Sequence, residues 1–150
     1  MARGVQIVDR DHGYRNALTN VRKMGRTIVR VGVTDAPHVG TDLTTAQLGA
    51  IHEFGLGHVP ERSFLRAWVD ENQNSWLRTL RELAYRAVMG REAWAENFGK
   101  YAVEGVRARM RLGIMPPLQT PTIARKLNGN TPLIESEQLI NGIEYDVVRL

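Results

Sequence analysis

An α+β fold is predicted for this 150-residue chain: a small antiparallel or mixed sheet packed against a long antiparallel helical pair. Three observations carry that expectation. Residues 27–33 (TIVRVGV) are rich in β-branched side chains and bounded by turn-forming residues. Residues 143–150 (IEYDVVRL) alternate as a closing strand should. Between them, 61–112 carries apolar residues at three-and-four spacing, broken once at Gly90, which reads as two helices joined by a tight turn.

The remaining elements follow in order. Residues 4–9 form a short apolar stretch compatible with a strand, and Ala17, Leu18, Val21 and Met24 mark one face of a helix that Gly25 ends. The segment 34–43 reads as an exposed loop, punctuated by Pro37 and Gly40. Thr44, Thr45, Ala46 and Gln47 match a capping box, opening a helix that Gly55 and Gly57 terminate. Pro60 suits a first helical turn, so one helix is predicted over 61–89, with Leu65, Val69, Trp76, Leu80, Leu83 and Ala87 as its stripe. The second spans 91–112 with Trp94, Phe98, Tyr101, Ala102, Gly105 and Met110 along one side. A short helix at 121–127, a turn at 128–130, an extended 131–134 and a helix from Ser136 through Asn141 precede the last strand. A single domain over 1–150 is expected.

Composition bounds the chemistry. The chain has no cysteine, so disulfides, thiolate nucleophiles and Cys-ligated zinc are excluded. No apolar run approaches the roughly 20 residues that span a bilayer. The opening residues lack a signal-peptide core, and the expectation is a protein made in a cytoplasm without membrane contact. The net charge of +4 admits nucleic acid as a partner without requiring it.

His52-Glu53 suggests a zinc helix, which needs His-Glu-x-x-His so that both imidazoles share one face. Leu56 stands where the second histidine belongs, and His58 lies beyond two glycines that end the helix. Phosphate-loop, dinucleotide and nucleophile-elbow patterns are also missing. No catalytic residue, metal or cofactor is therefore predicted. Arg107 and Arg111 share a helical face and, with the other arginines of the pair, offer the best candidate phosphate-binding surface, although acidic residues are interspersed.

The order of motifs resembles a family of tailed-bacteriophage tail components, assigned to the neck as tail-completion or head–tail joining proteins. The likeness rests on the strand before the loop, on Glu53-Phe54-Gly55, and on Val59-Pro60-Glu61-Arg62-Ser63-Phe64-Leu65-Arg66 opening a long helix. It is reinforced by Thr131-Pro132-Leu133-Ile134-Glu135-Ser136-Glu137-Gln138-Leu139 before the last strand, where Glu135-Ser136-Glu137 replaces the usual acid-threonine-glycine. The matches reach from about residue 27 to the end; residues 4–9 have no counterpart.

The resemblance implies a non-enzymatic virion subunit, made in the host cytoplasm, that joins head connector to tail as a homo-oligomeric ring. Its expected neighbours are the connector or head-completion protein and the tail terminator or tail tube protein, with passing contact to DNA in the channel. The alternatives are a tail terminator capping the tube and, in another class, a basic nucleic-acid-binding module. The expected interface residues are Glu53, Phe54, Arg62, Phe64, Arg66, Arg107 and Arg111, with Phe54 and Phe64 as hydrophobic pins of the corner.

Overall fold

A computed structural model describes residues 10–91, 93–116 and 137–150. The predicted strand at 4–9 and the elements expected over 121–134 lie outside the described residues. The class is α+β. In chain order the elements are α1 (Tyr14–Met24), β1 (Thr27–Val33), α2 (Thr45–Phe54), α3 (Leu65–Glu71), α4 (Gln73–Val88), α5 (Trp94–Arg111), α6 (Gln138–Asn141) and β2 (Ile143–Arg149).

β1 and β2 pair antiparallel over their full length, from Thr27 opposite Arg149 to Val33 opposite Ile143. One face of this ribbon carries Val31, Val33, Ile143 and Tyr145 onto α5. A two-stranded ribbon is marginal alone, so burial of that face is what sustains it. The core gathers Phe64, Trp68, Val106, Met110, Leu139, Ile140 and Ile143 around the inner flank of α5.

Two glycines explain how closely α5 is approached. A Cβ at Gly99 would overlap the Tyr145 ring, and one at Gly105 would overlap the Trp68 indole. Each glycine costs a helix interior about 1 kcal/mol against alanine. Here that cost is offset by two aromatic rings lying flush on the helix backbone.

The helical pair is antiparallel: Trp76 meets Phe98, whereas the earlier Trp68 meets the later Tyr101. Its first member differs from the expectation of one helix over 61–89. Helix begins only at Leu65, because residues 61–63 are drawn away: the Arg62 amide donates to the His52 carbonyl at 2.7 Å. It breaks again at Asn72, whose side-chain amide donates to the Trp68 carbonyl, a local bond that competes with the helical ladder. The Trp76 indole bridges the break by donating to the Val69 carbonyl at 3.0 Å. The interruption shifts the register, so Trp68 is buried and Val69 is left exposed, opposite to the predicted stripe. The second member starts at Trp94, three residues later than expected.

Elsewhere the local signals hold. Thr44 Oγ1 accepts the Gln47 amide and Gln47 Oε1 accepts the Thr44 amide, completing the capping box. The 34–43 loop is tied back at both ends, with Thr45 N donating to Ala36 O and Val39 N to the Gln138 side chain.

Candidate functional site

The corner between α2 and α3 is the most heavily built polar feature of the chain. Gly55 ends α2 at φ 67°, and a Cβ there would lie 2.6 Å from the Glu61 amide nitrogen. Only glycine permits both the left-handed turn and that approach. The chain thereby doubles back and delivers residues 61–66 beside the last turn of α2.

Glu53 occupies the centre. Its carboxylate accepts the Ser63 hydroxyl at 2.7 Å and three successive backbone amides, Phe64 at 2.8 Å, Leu65 at 3.0 Å and Arg66 at 2.9 Å. These amides open α3, where the N-terminal peptide donors lack intrahelical partners. Phe64, the residue in the capping position, supplies no side-chain bond of its own. A carboxylate from a different helix therefore caps α3, and its charge complements the positive end of the helix dipole. Burial opposes the charge of Glu53, but the Ser63 bond and the amides of Arg66, Phe64 and Leu65 outweigh it and hold the carboxyl below its ordinary range.

Four other side chains brace the corner. Ser63 Oγ also accepts the Ala67 amide at 3.1 Å. Buried Arg62 donates through Nε to the Pro116 carbonyl at 3.0 Å, tying the corner to the segment after α5. Arg109 on α5 donates to the Ser63 carbonyl and pairs with Glu71. His52 is desolvated and sits beside the Arg62 charge, which together lower its pKa from 6.5 to about 4; its Nδ1 is buried without a hydrogen-bond partner.

No family model, curated protein or solved structure matches the chain.

The structure brings together Glu53, Arg62 and Phe64, and lays Phe54 and Arg66 on the outside of the same corner. The expectation of two buried pins needs correction. Phe64 is fully buried, whereas Phe54 is 58% exposed, covered only by the Arg66 guanidinium 5.6 Å from its ring centroid. The reason is directional: Phe54 is adjacent in sequence to inward-facing Glu53, and a step of about 100° around the helix carries it outward. Arg66 also pairs with Glu61.

Arg107 and Arg111 lie apart from this corner. Arg107 donates to the carbonyls of Ile140, Asn141 and Ile143 at 2.9–3.2 Å, closing the end of α6 and the start of β2. Its donors thus face the protein. Arg111 is exposed at the end of α5. The exposed cations concentrate instead between residues 10 and 30, where Arg10, Arg15, Arg22, Lys23, Arg26 and Arg30 stand against Asp11 alone.

Ser63 and Arg109 were missed as corner residues. Ser63 carried a readable signal, since serine before an apolar run is a helix-start residue, and it marks the start of α3 better than Pro60 does. Arg109 had none, because its partners lie 46 and 38 positions away. Among the described residues no group of three His, Asp or Glu side chains is placed to hold a metal ion, and no helix is long and apolar enough to cross a membrane.

Proposed function

We propose that this chain is a structural subunit of a tailed-phage virion, a neck or tail-completion adaptor that joins the head connector to the tail as a homo-oligomeric ring. One observation carries the reading: the residues on which the family resemblance rests form a single built object. Glu53, Gly55, Arg62, Phe64 and Arg66 are separate letters of a sequence pattern, yet all meet at the α2–α3 corner. Their polar groups are directed at backbone amides and carbonyls of the same chain, an arrangement that sets the angle between two helices. Rigidity of this kind is what an assembly subunit requires of a joint presenting Phe54 and Arg66 outward.

The test is electron microscopy of the purified protein and of particles. Rings of one symmetry, and matching density between connector and tail, are expected. A monodisperse monomer that is also absent from purified virions would overturn the reading.

A further inference from the structure

α1 is an amphipathic helix of eleven residues that buries none of them. Ala17, Asn20 and Met24 are partly covered where the helix lies on α4, with the Asn20 amide donating to the Val88 carbonyl at 3.1 Å. The neighbouring stripe, Tyr14, Leu18 and Val21, stays open, at 68%, 37% and 49% exposure. Arg15 and Arg22, seven residues apart and so on one face, run alongside it. Arg15 makes one exposed pair with Asp11 at 3.7 Å. An open apolar stripe edged by arginines, in the segment that holds the chain's main excess of positive charge, is a docking element looking for an acidic, apolar-floored partner.

Such a surface exists on the same chain. A groove of about 430 Å³ runs between α5 and β2, floored by Val103, Ile143 and Tyr145 and rimmed by Glu104 and Glu144. Lys100 and Arg107 also line it, but Arg107 directs its donors at the three carbonyls closing α6. The groove cannot be filled by the chain's own α1. On α5, Phe98, Tyr101 and Gly105 face α3 and α4, whereas Lys100, Glu104 and Arg107 lie more than ~100° round the helix. Because α1 packs on α4, its open stripe and the groove belong to opposite flanks of the molecule. Two complementary patches on opposite flanks make a head-to-tail contact, the kind that closes into rings or extends into filaments.

We propose that the exposed face of α1 docks into the α5–β2 groove of a second copy of this chain, with Arg15 and Arg22 opposite Glu104 and Glu144. The inference rests on the oligomeric part of the function proposed above and names the contact that builds the ring.

The test uses two full-length variants, R15E/R22E and E104K/E144K, with folding checked by circular dichroism and mass by light scattering. The wild type is expected to assemble, and each folded variant to be monomeric. An equimolar mixture should then form a 1:1 dimer and stop, because only one intact stripe and one intact groove remain to meet. Variants that assemble like the wild type would overturn this contact and leave the ring reading standing. Monomeric variants whose mixture forms no dimer would do the same. A wild type that is monomeric at every concentration would overturn both. If R15E/R22E loses salt-dependent affinity for double-stranded DNA while its oligomeric state is unchanged, the basic stripe serves a polyanion, and the proposed contact is wrong.

Discussion

The Glu53 carboxylate accepts the backbone amide of Phe64 at 2.8 Å, eleven residues along the chain, and so one helix supplies the cap of another. A self-capping helix keeps its start when its neighbours move. α3 does not have that independence: its first turn is completed only while α2 is docked beside it. Stability of the corner and orientation of the two helices are thus one property.

Replacing Glu53 should therefore cost far more than an ordinary helix cap. E53Q retains the shape but only one oxygen acceptor for four donors, and buried donors left without partners cost about 1–3 kcal/mol each. The expected loss is about 2–4 kcal/mol by urea denaturation at neutral pH. A loss below about 0.5 kcal/mol would show that the amides find other partners.

Acid should act on the corner in two stages. His52 takes a proton near pH 6.5 when unfolded but only near 4 when folded, so the unfolded state binds more protons in that interval. Stability is complete above 6.5 and declines as pH falls from there to about 4. Glu53, whose folded carboxyl lies below the model 4.5, adds a second loss as pH falls further. H52Q should flatten the first stage and leave the second, as read from urea midpoints across pH 3–8. An unchanged slope between 6.5 and 4 in H52Q would place the titration elsewhere.

Gly105→Ala and Gly99→Ala should invert the usual effect of alanine in a helix. Propensity favours alanine by about 1 kcal/mol, but overlap with the Trp68 and Tyr145 rings should produce a net loss of about 1–3 kcal/mol. Combining G99A with Y145A should recover the helical gain that G99A alone conceals. Additivity of the two substitutions in thermal melts would contradict the close packing.

The two phenylalanines of the corner should separate cleanly. F64A removes a fully buried side chain and should cost about 3–5 kcal/mol, while F54A should change monomer stability by less than about 1 kcal/mol. If Phe54 serves assembly, F54A will weaken oligomers without lowering the monomer's unfolding midpoint. An F54A penalty matching that of F64A would mean the Arg66 lid does the work of a core.

Arg107 should prove structural. R107K keeps the charge but cannot span the carbonyls of Ile140, Asn141 and Ile143 as a planar guanidinium does. Faster amide hydrogen exchange is expected from Leu139 to Ile143, along with a loss of about 1–3 kcal/mol. Unchanged exchange there would reopen Arg107 to an intermolecular role.

Local chemistry was largely sufficient for local elements. The β-branched run of β1, the Thr44–Gln47 box, the Gly55 stop and the alternation of β2 are short-range signals, and each matches its element to within a residue or two. The reading failed where a distant group competes with the local preference. Pro60 was a sound helix start by itself, but the His52 carbonyl holds the Arg62 amide and Glu53 offers its cap only from Phe64 onward, so α3 begins five residues after the proline. The break at Asn72 was legible in principle, since asparagine readily bonds its own helix backbone, yet the apolar periodicity on both sides masked it. The sequence by itself determined the elements, the absence of cysteine chemistry and the failure of the zinc spacing. Only the tertiary structure decided that Glu53 is a cap, that Phe54 faces outward and that Arg107 faces inward. Each of those depends on which unsatisfied amide or carbonyl a folded neighbour brings within about 3 Å, and sequence spacing carries no record of that distance.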